Sequence, residues 1–413
     1  MPIGHKIAPP VKEILNELSR HGYEAYLVGG AVRDLLLGIE PKDYDISTSA
    51  RPEEIRKVFG RKRARIIGRR FRLVHLRADG DIYEISTFRR EPSAEERSAR
   101  AEDDGVMLWR DNVYGTVEQD AFRRDFTVNS IYYDLNGADG GILDFTGGVP
   151  DLEAHRVRMI GDEDRRLVED PVRLLRALKL VSQYGFHLEE DLEQAIHRHA
   201  DLIGRSSRAR LFEELLKILA KPYSLAMLSV CREHGLLPRF WPNLDAIWDE
   251  RQGELLRHML ASRDRRLDAG DYTLAKTLIL ATLSFVPVAE SLGMSLPSGR
   301  LWEPEPGLER LCRNEILKFL EPFPVPRFLS ARARDVILLM PRFFSREQPD
   351  RTLRHPEYKY ARELFLILAE VFDWDHELVS AWPPPPPRSR RGGGRRSDRH
   401  RPRRPRKRRP RNS

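Results

Sequence analysis

Residues 26–46 read YLVGGAVRDLLLGIEPKDYDI, and this stretch decides the fold of the first part of the chain. An apolar run typical of a buried strand leads into Gly29 and Gly30, and the pattern AVRDLLL then predicts a helix. Glycines at such a turn let backbone N–H groups approach an anion, and the start of the helix adds positive partial charge. Arg33, about one turn into the helix, could reach the same anion. A tight turn without any ligand is the alternative for the glycine pair alone.

The segment KDYDIS places Asp43 and Asp45 two residues apart. On a strand, both side chains would point to one face, with Tyr44 and Ile46 on the other. Neighbouring carboxylates repel each other, and bound Mg²⁺, which prefers carboxylates and substrate phosphates, would remove that cost. The combination predicts a site in which the glycines hold a triphosphate and Asp43 and Asp45 hold two Mg²⁺ ions. A solvated turn is the alternative for an isolated carboxylate pair, but the glycine turn and Arg33 favour the site.

Length and composition narrow the class of protein. A chain of 413 residues that is 40% apolar predicts several domains with real cores. No run of about 18 apolar residues occurs, so no membrane span is expected. The start of the chain lacks an apolar signal core, and Cys231 and Cys312 are the two cysteines. Both observations predict a protein of the reducing cytoplasm.

The positive charge is concentrated at the end of the chain. Residues 388–413 contain fourteen Arg or Lys and one Asp, whereas the rest of the chain has 57 basic and 62 acidic residues. Five prolines at 383–387 predict a stiff spacer before this tail. The tail has no apolar side chain to bury, so it is predicted to be disordered and to bind a polyanion. A tail that only improves solubility is the alternative.

The remaining pattern predicts an α+β fold. Short β-branched or aromatic runs such as DIYEISTF alternate with helical segments up to about residue 145, which predicts a small mixed or antiparallel sheet with helices. Residues 90–111 are charged and aperiodic, which predicts a loop. From about residue 163 to 380 the pattern is helical, although residues 240–310 are harder to assign. The predicted domains are a head, a helical neck, a helical body and the tail, at residues 1–145, 146–220, 221–382 and 383–413.

Four motifs together resemble a known family. LVGGAVRDLLLG followed by KDYDIST resembles the signature of the class II nucleotidyltransferases, which include tRNA CCA-adding enzymes and bacterial poly(A) polymerases. RRDFTVNSIYYD at 123–134, LDFTGGVPDLEAHRVRMIG at 143–161 and EDPVRLLRALKL at 169–180 resemble later motifs of that family in the same order. The resemblance covers roughly residues 24–220. It implies a nucleotidyltransferase head, a neck that binds the nucleobase and RNA, and a body that binds RNA.

The same resemblance implies roles for individual residues. It makes Asp125 a third active-site carboxylate, ranked ahead of Glu84, whose strand could lie beside that of Asp45. It makes Arg124 a triphosphate ligand together with Gly29, Gly30 and Arg33. Arg123 is a further candidate for phosphate or ribose, and Asn129 for ordering the ribose or the hinge.

Nucleobase selection is assigned to the helix of the last motif. From the residues alone, Asp170 before Pro171 predicts a helix N-cap with proline at the first helical position, and Arg173 and Arg176 share one face. The resemblance implies that Asp170 and Arg173 read the incoming base, with Arg176 close by. A carboxylate accepts from an exocyclic amine and a guanidinium donates to the adjacent ring nitrogen. Adenine and cytosine offer that edge, whereas guanine and uracil do not.

The stretch RIIGRRFRLVHL at 65–76, interpreted as one basic strand, resembles a segment that marks the poly(A) polymerase branch of the family. With the basic tail, it predicts a Mg²⁺-dependent poly(A) polymerase that moves AMP from ATP to RNA 3′ ends. The expected partners are ATP, RNA 3′ ends and RNA phosphates on the tail, with no membrane, and the oligomeric state is left open. A CCA-adding enzyme is the first alternative. A non-catalytic RNA-binding protein is the second, although intact Asp43 and Asp45 argue against it.

Deletion of residues 383–413 should weaken RNA binding and leave ATP affinity unchanged, because the tail can contact phosphates but has no apolar side chain with which to build a pocket. If five or six basic residues engage a single strand, the slope of log affinity against log salt should flatten by roughly 3 to 4 units. RNA titrations of full-length and truncated protein at several salt concentrations measure this. An unchanged slope would favour the solubility tail.

Overall fold

The computed structural model describes residues 3–68, 72–91, 113–137, 141–294, 301–302, 305–345 and 349–385. A sheet with helices occupies the first part of the chain and helices dominate the rest, which confirms the predicted α+β fold class. Most of the predicted loop at 90–111 and nearly all of the tail lie outside the described residues. In the described ranges, no helix is both long and apolar enough to cross a membrane.

One mixed sheet of seven strands, in the spatial order β3-β4-β5-β2-β1-β6-β7, organises the head. Only β2 and β5 are parallel neighbours in this sheet, and the other described pairs are antiparallel. The strands are β1 (Ala25–Val28), β2 (Asp45–Thr48), β3 (Ala64–Ile67), β4 (Leu73–Ala78), β5 (Asp81–Thr87), β6 (Tyr132–Tyr133) and β7 (Ile142–Leu143). The sheet therefore aligns segments that are far apart in the sequence.

The helices of the head cover this sheet with narrow apolar faces. They are α1 (Pro9–Arg20), α2 (Gly30–Leu36), α3 (Pro52–Phe59) and α4 (Val117–Phe122). Helix α1 buries Val11, Ile14, Leu15 and Leu18, a spacing that follows one face of a helix. It packs against β1, while α3 packs against β3 and β4.

The interpretation of residues 65–76 as a single strand is wrong. The segment contributes to two antiparallel strands, β3 and β4, in which Ala64 lies opposite Leu76. Gly68 follows β3 with a φ of 76°, a left-handed conformation that an extended strand does not contain. Residues 69–71 lie outside the described residues. The chain therefore reverses within the stretch.

The second part of the chain begins with a hinge and a helical neck. Helices α5 (Gly148–Glu153), α6 (Glu163–Glu169), α7 (Val172–Tyr184), α8 (Glu190–His199), α9 (Leu202–Arg205) and α10 (Arg208–Leu219) follow in order. The predicted N-cap of α7 differs by one position, since the helix begins at Val172, although the Asp170 carboxylate still accepts from the Val172 N–H at 3.3 Å. Two short parallel strands, β8 (Arg156–Val157) and β9 (His187–Leu188), were not expected from the helical pattern.

The body is helical as far as Ser380, in agreement with the expected limit of about residue 380. Its helices are α11 (Ser224–Glu233), α12 (Leu237–Phe240), α13 (Pro242–Ile247), α14 (Arg251–Asp268), α15 (Lys276–Ser291), α16 (Leu308–Phe319), α17 (Arg327–Leu338), α18 (Met340–Ser345), α19 (Pro349–Leu353), α20 (Tyr358–Phe372) and α21 (His376–Ser380). Helix α15 is buried along most of its surface, so it lacks the polar face that makes a helix recognisable in a sequence.

The hinge between head and neck depends on a close backbone approach at Gly148. Gly147 has a φ of 79°, and a Cβ on Gly148 would overlap the carbonyl oxygen of Thr127. Thr127 begins the short 3₁₀ turn Thr127–Asn129, which places Asn129 beside the glycine turn of the head. Close packing at Gly148 therefore holds α5 against the segment that supports the candidate site.

Gly148→Ala should lower stability by about 1–3 kcal/mol or more, because the added methyl group meets backbone that cannot rotate away. Gly204→Ala is the matched control, since its Cβ would lie 3.1 Å from the Arg239 carbonyl oxygen and requires only a small shift. Thermal and urea unfolding of both variants measure the difference. Equal stability of the two variants would contradict the close approach at the hinge.

Candidate active site

The glycine turn has the sharp geometry that the sequence predicts. Gly29 has φ 73° and ψ −129°, and helix α2 begins at the next residue. The Gly29 N–H donates to the carbonyl of Ile131 at 3.1 Å, which ties the turn to the segment before β6. A Cβ on Gly29 would lie 3.3 Å from Nη1 of Arg124 and 3.4 Å from the Asn129 carbonyl oxygen. Both the backbone conformation and the space therefore favour glycine here.

Three acidic side chains lie near one another beside this turn, on or just before interior strands of the sheet. Asp45 is the first residue of β2 and lies opposite Val28 of β1 and next to Glu84 of β5. Asp43 precedes the strand, and all three acidic side chains are exposed. His75 flanks Glu84 on its other side, with Nε2 at 3.0 Å from Oε1. A cleft of about 190 Å³ is lined by Asp45, Glu84 and Arg124 among its polar residues.

Asp45 has two acidic neighbours, Glu84 and Asp43, and one basic neighbour, Arg124, that act on its pKa. Asp45 is reached by solvent from the mouth of the cleft, but the surrounding protein removes part of its hydration, and this burial raises the pKa of Asp45. The charge of Glu84 raises that pKa further, Arg124 opposes the shift, and Asp43 adds to it. Oxygen ligands of this kind suit a hard divalent cation. The donor set therefore fits a divalent metal, which would offset the repulsion.

Arg124 is held beside the turn by Tyr132, Asn129 and Asp120, of which only Asn129 was singled out from the sequence. Its Nε donates to the Tyr132 hydroxyl at 3.0 Å, and its Nη1 lies 3.4 Å from the Asn129 carbonyl oxygen. The buried Asp120 carboxylate pairs with Nη2 at 3.4 Å and accepts from Tyr132 at 2.7 Å. Burial opposes the charge of Arg124, but Tyr132 and Asp120 outweigh it and raise the pKa of the guanidinium. In the sequence, the four-residue spacing of Asp120 and Arg124 was the pattern that could have predicted their ion pair.

Arg33 lies next to the turn but turns its guanidinium into the protein. It is 8% exposed, and its Nη1 donates to Oδ1 of Asn129 at 2.5 Å. Its Nη2 donates to Asp34 at 2.7 Å and also to the hydroxyl of Tyr184, the last residue of α7. The Tyr184 ring lies under the guanidinium at 4.4 Å, and its hydroxyl donates to Asp34 at 2.8 Å. Arg33 therefore joins the glycine turn to the neck.

Asp125 lies at the boundary between head and neck. Its Oδ1 accepts from the backbone N–H of Phe126 at 3.0 Å, and its Oδ2 pairs with Nη1 of Arg176 at 3.4 Å. Besides burial, the charges of Glu84 and Asp43 raise the pKa of Asp45. Strand pairing thus places Glu84 directly beside Asp45, while Asp125 is paired with a neck residue.

The two residues assigned to base reading are each engaged with other groups. The Asp170 carboxylate accepts from Arg210 of α10 at 2.7 Å. Arg173 donates to the backbone carbonyl of Arg166 at 2.6 Å and lies 3.5 Å from Glu169. Sequence reasoning missed Arg210 because the pairing joins helices forty residues apart. Glu169 directly precedes Asp170 in the sequence, so its contact with Arg173 four residues later could have been predicted.

Comparisons with known proteins identify the family of this chain. Residues 25–158 match the family described as the Poly A polymerase head domain, and residues 185–247 match the probable RNA and SrmB-binding site of polymerase A. A poly(A) polymerase I of Haemophilus influenzae is 38% identical over 367 residues, which cover 87% of this chain and 80% of that protein. The chain belongs to the nucleotidyltransferase superfamily.

Relatives on the other branch of the superfamily are also similar. A CCA-adding enzyme of Geobacillus thermodenitrificans is 36% identical over 305 residues, which cover 68% of this chain and 72% of that protein. The crystal structure of the Bacillus stearothermophilus CCA-adding enzyme in complex with CTP superposes with a TM-score of 0.61 at 26% identity. It covers 91% of this chain and 82% of that chain. Nucleotidyl transfer is therefore the activity that both groups of relatives support.

The raised pKa of Asp45 in this nucleotidyltransferase can be tested with metal-free protein. Glu84→Gln should lower that pKa more than Asp43→Asn, and Arg124→Gln should raise it, because the three side chains contribute with those signs. Because the pKa of Asp45 is higher in the folded state than in the unfolded state, protonation of Asp45 adds to the free energy of unfolding at low pH. This contribution is lost as the pH rises through the folded-state pKa. Carboxyl ¹³C NMR titration measures the shifts. The same sign for Glu84→Gln and Arg124→Gln would contradict the geometry.

Proposed function

We propose that this chain is a poly(A) polymerase that transfers AMP from ATP to RNA 3′ ends and releases pyrophosphate. The observation that carries the proposal is the extent of similarity to poly(A) polymerase I, which covers 87% of this chain against 68% for the CCA-adding relative. The basic tail and the GRRFRLVH segment at 68–75 add support. The head would be the catalytic domain, with RNA bound along the neck, body and tail within the boundaries expected from the sequence.

The metal would be held by the three clustered carboxylates. Asp43 and Asp45 are the proposed ligands, and Glu84 is the better supported third carboxylate because β5 places it beside Asp45. Bound Mg²⁺, with two ions proposed, would neutralise triphosphate charge and favour ionisation of the attacking hydroxyl. Asp125 is proposed to have a supporting role, and its carboxylate pairs with Arg176 at 3.4 Å.

The triphosphate would lie against the glycine turn. Gly29 and Gly30 leave the backbone open to phosphate oxygens, and the guanidinium of Arg124 borders both the turn and the carboxylate cleft. Arg124 is therefore the proposed phosphate ligand. Arg33 serves the same step indirectly, because its bonds to Asn129 and Asp34 hold the turn in place.

Base selection is assigned to Asp170 and Arg173, with Arg176 beside them. The Asp170 carboxylate would accept from the adenine amine and Arg173 would donate to the neighbouring ring nitrogen. The Arg210 guanidinium holds one Asp170 oxygen, and the Arg166 carbonyl holds one Arg173 nitrogen. These contacts would restrain both side chains before the base binds. A restrained site would favour adenine alone over adenine and cytosine together.

The deciding experiment is sequencing of the product made from an unstructured RNA primer with all four nucleotides and Mg²⁺. Long tracts of A are expected. Addition that ends after CCA, and only on tRNA, would assign the chain to the CCA-adding branch. RNA binding without any nucleotide addition would instead support the non-catalytic alternative.

Site variants test the carboxylates in the same assay. Asp45→Asn and Glu84→Gln should each reduce turnover to less than a tenth, since each removes a charged metal ligand. Asp81→Asn is the matched control, because Asp81 is an exposed acid at the start of the same strand as Glu84. Circular dichroism verifies that each variant is folded. Near-normal turnover of Asp45→Asn would contradict the proposed metal site.

A further inference from the structure

A second group of potential metal ligands lies in the neck and body, outside the carboxylate cleft. Glu193 and His197 are four residues apart on α8, and His234 follows the end of α11. Their ligand atoms all lie within 4.8 Å of one another. Glu193 and His197 are exposed and His234 is partly buried, so an ion could reach the group from solvent.

The tautomer of His234 follows from its backbone contact. Its Nδ1 lies 2.9 Å from the carbonyl oxygen of Val230, and because a carbonyl only accepts, Nδ1 must carry the proton. In the neutral ring, Nε2 then holds a lone pair and faces Oε1 of Glu193 at 3.4 Å. Metal-binding histidines commonly donate their second N–H to a backbone carbonyl in this way, which fixes the ring orientation.

The second histidine is placed by ring packing. The rings of His197 and His234 stack with centroids 5.4 Å apart and planes inclined by 16°. Two protonated imidazoles at this spacing would repel, whereas neutral imidazoles each offer a nitrogen lone pair. The carboxylate of Glu193 supplies the negative charge that a dication needs.

Distances fit a tetrahedral ion after small side-chain adjustments. Bonds of about 2.0–2.1 Å to nitrogen and oxygen imply ligand atoms roughly 3.3 Å apart. The Nε2–Oε1 separation of 3.4 Å already meets this, and the exposed side chains of Glu193 and His197 can rotate to close the wider gaps. Two imidazoles and one carboxylate suit zinc and similar transition metals, whereas magnesium prefers oxygen ligands alone.

We propose that Glu193, His197 and His234 bind a divalent transition-metal ion of the zinc type, with a water in the fourth position. The bound ion would join α8 to the end of α11. Helix α8 packs against α6, where His199 and Arg198 also contact Asp164, and α11 packs against α7. The ion would therefore stabilise the helices on both sides of Asp170 without contacting nucleotide.

The test uses the full chain, stripped of metal with chelator and returned to excess Mg²⁺, which would compete with Zn²⁺ for the proposed carboxylate site. Zn²⁺ alone is titrated by calorimetry, and Co²⁺ is used as a spectroscopic probe of tetrahedral coordination. Thermal unfolding with and without Zn²⁺ is the second readout. Nucleotide is absent throughout, so the result does not depend on the proposed polymerase activity.

The combined variant His197→Ala and His234→Ala should lose one equivalent of bound Zn²⁺ and the associated rise in unfolding temperature. Glu193→Gln keeps the shape of the site and should weaken binding by about tenfold or more. His187→Ala and His258→Ala are matched controls, since both histidines are exposed and lie outside the cluster. They should retain the full Zn²⁺ response.

The pH dependence separates metal binding from a simple contact between His234 and Glu193. Zn²⁺ affinity should fall as the pH is lowered, because protons compete with the ion for its ligand atoms. A simple contact between the two side chains would show no Zn²⁺ response at any pH. Unchanged Zn²⁺ stoichiometry in the histidine variant, unchanged Zn²⁺ affinity in Glu193→Gln, or the absence of a tetrahedral Co²⁺ spectrum would overturn the proposal.

Discussion

The rest of the site depends on how the buried guanidinium of Arg33 is paired. A charge that is 8% exposed must be paired, and its partners Asp34, Asn129 and Tyr184 come from the head, the 3₁₀ turn and the neck. These contacts fix the glycine turn against the end of α7. Because α7 also carries Arg173 and Arg176, the same guanidinium relates the glycine turn to the helix that is proposed to select the base.

The carboxylate cluster shows a second constraint, since it places like charges together at the cost of electrostatic repulsion. The parallel pairing of β2 with β5 puts Glu84 beside Asp45, and its charge adds to the burial that raises the pKa of Asp45. Arg124 offsets part of this repulsion, and its own position depends on Tyr132 and the buried Asp120. The sheet and the Asp120 network thus hold the cleft in a form that favours a bound cation.

The sequence predicted the local features well and the non-local ones poorly. The glycine turn and helix α7 each depend on residues within one short segment, so their pattern is visible without the fold, whereas the strand expected to carry both Asp43 and Asp45 begins only at Asp45. The neighbour of Asp45 depends on which strands pair, so the position of Glu84 beside it follows from the sheet, whereas Asp125 was ranked first on the family resemblance. The direction of Arg33 likewise depends on Tyr184, which lies about 150 residues away. Helix α15 escaped assignment because burial on all sides removes its periodicity.

The contacts of Asp170 and Arg173 bear on how such a site discriminates between bases. Specificity is a difference between two affinities, and a side chain that is already bonded must exchange or share its partner when a base binds. In the proposed base-reading role, Arg210 would compete with the base for Asp170, so a bound base would have to offset the loss or sharing of that contact. Adenine and cytosine share the same pattern of donor and acceptor. Cytosine differs in ring size and in the O2 carbonyl that follows the shared edge, and restrained side chains would translate these differences into differences in distance, whereas mobile ones would adapt to either base.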